Sequence, residues 1–304
     1  AFTGSIRDWD TSSGTNFSSM FAGATAFNAD ISDWDVSSGT NFGYMFEGAT
    51  NFTRDISSWD VSSGTNFREM FRGATNFNAD ISGWDVSSGT NFSYMFSGAT
   101  AFTGSIRDWD TSSGTNFSNM FAGATSFNQD INTKEVTRAD DSTYTAWVVS
   151  KGTNFSYMFS GAVTFNKDIR DWDVSNGTNF MSMFESARAF NKNINTKKVT
   201  RDDDSTYTAW DVSKGTNFYS MFKDARAFNN GGDASTSPPL NWDTSRGEYF
   251  SQMFKGATAF NADISGWNTS RVIDFDKMFE DATSFNADIS GWDVRSVREF
   301  SYMF

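Results

Sequence analysis

Cysteine and histidine are absent from the 304 residues, and proline occurs only twice. Without cysteine there is no disulfide framework and no thiolate metal site. An extracellular home stays open, because stacked repeats build a core without covalent staples. Without histidine the usual general base, zinc ligand and pH switch are missing. Positive charge is scarce: 24 Lys and Arg stand against 37 Asp and Glu, a net charge of -13. That balance argues against nucleic acid or an anionic membrane as the main partner. No run of about 18 apolar residues occurs, so no membrane-spanning segment is expected. The chain opens on Ala1 with no signal peptide, so any targeting segment is expected to have been removed or to lie outside this sequence.

What is present is periodic. Trp recurs at 9, 34, 59, 84, 109, 147, 172, 210, 242, 267 and 292, a base period of 25 residues with insertions of 13, 13 and 7. All 33 Phe fall on three positions of the unit, exemplified by Phe27, Phe42 and Phe46, and eleven of the 12 Met directly precede the third. A period in this range means a solenoid, propeller or array. A residue type locked to one phase stacks on itself along the axis, so these aromatics are read as core rather than as a cofactor box.

Within a unit, Phe27-Asn28-Ala29-Asp30-Ile31-Ser32 reads as a short strand bounded by turn residues. Ser18 to Ala24 reads as a single helical or 3₁₀ turn, and Ser12-Ser13-Gly14-Thr15 as a turn. One strand per unit in constant phase predicts a parallel β-sheet with neighbours about 4.8 Å apart. The expected fold is therefore a mainly β, leucine-rich-repeat-like solenoid. It would be a single uncapped domain over 1–304, of about eleven coils and roughly 50 Å long at that spacing.

Phe-Asn-x-Asp-Ile-Ser-x-Trp-Asp-Val-Ser followed by Thr-Asn-Phe-x-x-Met-Phe-x-Gly-Ala-Thr resembles the repeat of the BspA-like surface proteins. It is similar to the version catalogued as a domain of unknown function in mycoplasma lipoproteins and in algal and other microbial surface proteins. The resemblance covers essentially the whole chain. It implies a relative of bacterial leucine-rich repeats and a surface adhesin that binds host or matrix proteins. Most units here carry Gly-Thr-Asn-Phe where that pattern has Val-Thr-Asn-Met; only Val272 and Val297 keep the Val. Loss of the Val methyls is expected to loosen that corner.

Function on repeat scaffolds tends to sit in insertions. Residues 133–146 and 196–209 are near copies, each alternating polar and β-forming residues around an acidic tip, which predicts projecting β-hairpins about 10 Å apart along the axis. Arg138, Tyr144, Lys197, Lys198, Arg201 and Tyr207 are the candidate binding residues. Asp202, Asp203 and Asp204, with Asp140 and Asp141, are the candidate calcium ligands, although neither tip has the spacing that aims ligands at one ion. No other cofactor is expected. The third insertion, a Gly/Pro loop over 230–240, reads as flexible.

Two further columns recur. Asn precedes the second Phe in eight units, which suggests an amide ladder. Among these, Asn16, Asn91, Asn116 and Asn154 also fit the glycosylation pattern, as do Asn51, Asn176 and Asn268, with Asn176 the best candidate because it lies in a turn. The Asp columns exemplified by Asp30 and Asp35 read as caps accepting from the backbone two residues on, or as a cation-binding stripe.

An active site should be an exception to the repeat, whereas the carboxylates here recur in every unit. No histidine is available to activate a serine. A polysaccharide-active β-solenoid enzyme is the remote alternative. An ice-binding solenoid would want regular Thr-x-Thr on a flat face, whereas Thr-x-Thr occurs here only in the hairpins. Residues 1–20 match 101–120 except at Ser19 and Asn119, and both ends stop in mid-pattern. The sequence therefore points to a non-enzymatic, extracellular structural or adhesive repeat protein at the cell surface. Its expected partners are other copies or neighbouring repeats of a longer chain, with host or matrix proteins or glycans beside them. A calcium-dependent adhesin is the alternative.

Overall fold

The computed structural model describes residues 4–201, 203–233, 235–236 and 238–304; Phe2, the first member of its column, and Asp202 lie outside them. Successive units stack directly on one another, but not as a parallel sheet with helical turns. Among the described residues there is no helix. The only strands among the described residues are β1 (Lys134–Thr137), β2 (Thr143–Ala146), β3 (Lys197–Thr200) and β4 (Thr206–Ala209). They pair as two antiparallel two-stranded sheets, β1 with β2 and β3 with β4.

The backbone shows why the expected helical turn does not form. The amides of Phe17, Ser19, Phe21 and Gly23 donate to the carbonyls of Asn41, Gly43, Met45 and Glu47 in the next unit, at 2.9, 2.9, 2.9 and 2.6 Å. The intervening amides of Met20, Ala22 and Ala24 donate back three residues, to Phe17, Ser19 and Phe21. A helix would need every amide internally; here every second one is taken by the neighbour. Ser19 and Gly23 are left-handed (φ 59° and 69°), which breaks any helical run.

The expected strand over 27–32 fails for a different reason. Trp34 closes a turn onto the Ile31 carbonyl, and Asp30 accepts from the Ser32 amide. The extended stretch between turns is too short to build a ladder. Among the described residues, the parallel β-bridges between units are single residues, from Asn16↔Asn41 through to Asp274↔Glu299.

The core is a set of ring columns. Trp indoles stack from Trp9–Trp34, 6.1 Å between centroids and 7° between planes, to Trp267–Trp292 at 6.4 Å and 1°. Each buried indole N–H donates to an Ile or Leu carbonyl of the preceding unit, as Trp34 does to Ile6 and Trp267 to Leu240. The first and third Phe columns also face each other within a unit, 3.7 Å apart for Phe254–Phe260.

The Gly-for-Val exchange does not loosen its corner. A Cβ at Gly89 would lie 2.5 Å from the Phe92 ring, and Phe92 is fully buried. The ring takes the volume that the Val methyls would fill. Phe67 and Phe92 stack within 5°. Where Val272 and Val297 stand, Phe275 and Phe300 leave the stack instead, tilting 59° and 47° from their neighbours.

Candidate functional site

The repeated polar residues are occupied by the stack itself. Asp10, Asp35, Asp60 and Asp85 accept from the amides of Ser12, Ser37, Ser62 and Ser87; Asp55, Asp80, Asp263 and Asp288 do the same two residues on. Hydrogen bonds from serine hold Asp10, Asp35 and Asp60 below the usual carboxylate range. Those from Arg295 bring Asp293 down to about 2. The columns therefore cap turns.

The asparagines of the bridging column are caps as well. Asn16, Asn91, Asn116 and Asn154 accept from the amides of Ser18, Ser93, Ser118 and Ser156. A side-chain pair from unit to unit links Asn66 to Asn41 at 2.9 Å. The stronger amide column is the one after the first Phe, which sequence reasoning passed over although Phe-Asn recurs through the chain. Asn128, Asn166, Asn191, Asn229 and Asn261 each accept from the main-chain amide one unit on, at 2.8 to 3.0 Å. Of the remaining sequons, Asn51, Asn176 and Asn268 are exposed; Asn176 bridges the Ser150 carbonyl and Lys214.

A second feature missed in the sequence is Glu69, 4% exposed, between the guanidinium groups of Arg68 and Arg72 at 2.9 and 2.6 Å. Arg68 also lies 5.6 Å from the Tyr44 ring and 5.9 Å from Tyr94. Charge neutralisation within the stack accounts for this cluster.

The exceptions to the repeat are the hairpins. Their tips are turns built by the aspartates: Asp140 accepts from the Ser142 amide and Asp203 from that of Ser205. Asp141 and Asp204 take the left-handed position, φ 63° and 61°. Asp202 is outside the described residues. Among those described, no group of three carboxylates is placed to hold a metal ion.

Strand alternation turns one side of each hairpin back onto the stack. Tyr144 donates its hydroxyl to the Asp108 carbonyl, Lys134 pairs with the Asp108 carboxylate, and Arg138 lies 4.2 Å over the Tyr144 ring. The second hairpin repeats this: Tyr207 donates to the Asp171 carbonyl, Lys197 sits 2.6 Å from its carboxylate, and Arg201 lies 4.3 Å over the ring. Of the candidate binding residues, Arg138 and Tyr144 thus come together with Asp108, and Lys197, Arg201 and Tyr207 with Asp171. Lys198 points the other way and is exposed. Burial, then the Asp171 carboxylate, pushes the Tyr207 phenol up to about 12; the Tyr144 phenol is raised by burial and then Asp108.

The loop over 230–240 is held from beneath. Buried Asn229 donates to the carbonyls of Asp233 and Thr236, and buried Asn230 to that of Pro239.

Columns of identical rings, main-chain bonds from unit to unit and turn caps in register define a stacked repeat protein. The family described as Mycoplasma protein of unknown function, DUF285, matches residues 1–74, 54–145, 139–208 and 233–304, and the chain belongs to it. No curated protein and no solved structure matches. Among the described residues, no helix is long and apolar enough to cross a membrane.

Proposed function

We propose that this chain is a non-enzymatic structural and adhesive scaffold of the BspA-like surface type, working outside the cell with its two hairpins as recognition elements. The observation that carries this reading is the division of labour among polar side chains. The Asp and Asn columns serve turns and stacking in unit after unit, whereas the Arg-Tyr pairs of the hairpins depart from the repeat and flank clefts. A stack of this kind supplies a long, stiff display surface, and insertions supply contact chemistry.

Light scattering across a concentration series, with and without EDTA, tests it. Growth in size with concentration supports self-assembly, and a monomer that captures matrix proteins or glycans through the hairpins supports adhesion. Turnover of a polysaccharide by the purified chain would overturn the scaffold reading. Growth abolished by EDTA would make the carboxylates metal sites rather than turn caps.

A further inference from the structure

The cluster around Glu69 fills a slot between two tyrosines, and the same slot recurs two units later without a side chain of the chain to fill it. Tyr44, Glu69, Tyr94, Asn119 and Tyr157 are successive members of one column, two places before the third Phe. All five are left-handed, with φ of 61°, 56°, 58°, 58° and 57°. The amides of Tyr44, Glu69, Tyr94 and Asn119 donate to the carbonyls of Arg68, Ser93, Ser118 and Ser156 in the next unit, at 2.8 to 2.9 Å. The backbone therefore spaces Tyr94 and Tyr157 as it spaces Tyr44 and Tyr94, and all three tyrosines are half-buried.

The first slot shows what such a pair of rings takes. The Arg68 guanidinium lies 5.6 Å from the Tyr44 ring and 5.9 Å from the Tyr94 ring, paired with buried Glu69 at 2.9 Å. A guanidinium is planar and weakly hydrated, so it presents a face to each ring. In the second slot Ser118 stands in place of Arg68, Asn119 in place of Glu69 and Ala122 in place of Arg72. Ser118 is buried, with its hydroxyl turned to Asn116. Among the described residues no cation lies over the Tyr157 ring, and the Asn119 side-chain amide has no hydrogen-bond partner in the chain.

The occupant has to suit two tyrosine faces, one amide and a chain of net charge -13. Negative ring faces and the acidic excess disfavour an anion. An ammonium is a compact, strongly hydrated point charge, whereas a guanidinium stacks on both rings and still directs N–H groups at a carbonyl oxygen.

The geometry points to a binding slot for an arginine side chain of a partner polypeptide, its guanidinium stacked between Tyr94 and Tyr157 and donating to Oδ1 of Asn119. The slot belongs to the segment before Met120 rather than to the hairpins, so it stands or falls independently of the recognition role proposed for them.

NMR titration of the full chain, with its eight tyrosines ring-labelled, by N-acetyl-arginine amide tests this. The ring signals of Tyr94 and Tyr157 are expected to move together along one saturable curve, with N-acetyl-lysine amide needing a several-fold higher concentration. Tyr157→Ser, which installs the residue the column carries at Ser182 and Ser220, should weaken binding about two- to fivefold, the worth of one exposed cation–π contact. Ser118→Arg/Asn119→Glu copies the first slot and should abolish the response by filling the second from within; where it does not fold, Tyr157→Ser carries the test. Shifts spread equally over Tyr144 and Tyr207 would mean diffuse attraction to an acidic chain and would overturn the proposal. Shifts that persist in the folded Ser118→Arg/Asn119→Glu variant, or no response of Tyr94 and Tyr157 at any concentration, would overturn it too. So would a response of these rings to methyl glucoside and not to the arginine probe, which would make this face a glycan surface.

Discussion

Tyr207 reaches 36 residues back to donate its hydroxyl to the main-chain carbonyl of Asp171, pinning the second hairpin to the stack. Tyr207→Phe keeps the ring beneath Arg201 but removes the donor. The expected cost is about 1 kcal/mol. It should appear as faster hydrogen exchange in β3 and β4, with exchange in distant units unchanged.

The same phenol sets a pH response. Its folded value of about 12 lies above the ordinary 10.0, so the fold favours the protonated form. That contribution is complete below the ordinary value and is lost as pH rises through about 12. Phenolate absorbance, taken as wild type minus Tyr207→Phe, should titrate late, and the stability gap between the two should narrow over the same range. A difference that titrates like free tyrosine would refute this.

Gly89 and Phe92 form a coupled pair. Gly89→Val places methyls where the ring lies and should cost about 1–3 kcal/mol by overpacking. Gly89→Val/Phe92→Met restores the pairing that the resemblance attributes to the wider family. The double variant should be more stable than the sum of the two single changes indicates, with a coupling of about 0.5–3 kcal/mol in a denaturation cycle. Additive effects would show that the two positions are independent.

Asn191 accepts from the amides of Asn229 and Gly231 and donates to the Gly232 carbonyl. Asn191→Ala leaves those groups unpaired beside the loop over 230–240, a loss of about 1–3 kcal/mol. Limited proteolysis should then cut within the loop, while the exposed Asn176→Ala control stays intact.

The aromatic columns could be read directly, because Phe and Trp locked to one phase stack on themselves, and they do so with Trp147 and Phe159 fully buried. The backbone could not be read the same way. Ile31 and its neighbours have the composition of a strand, but Asp30 and Trp34 close turns on either side. Ser19 and Tyr44 adopt a left-handed conformation that their residue types do not announce. Nothing in the Gly-Thr-Asn-Phe motif reveals that the ring folds back over its own glycine. At the candidate site, the alternation of Val136, Tyr144, Val199 and Tyr207 predicted hairpins. That one cleft lies between the two hairpins and the other between the first hairpin and a short turn depends on which units carry an insertion, and so appears only once the units are stacked.

The main-chain bonds between Phe17 and Asn41, Ser19 and Gly43, and their counterparts in later units run along the stack. Under tension applied to the two ends, these bonds are loaded one layer at a time, as teeth of a zipper rather than as a shear plane. A detached unit of 25 residues releases about 80 Å of extended chain. The molecule should therefore yield in a sawtooth of small steps, equal except at the three units that carry insertions, lengthening many-fold under load while the remaining layers stay folded.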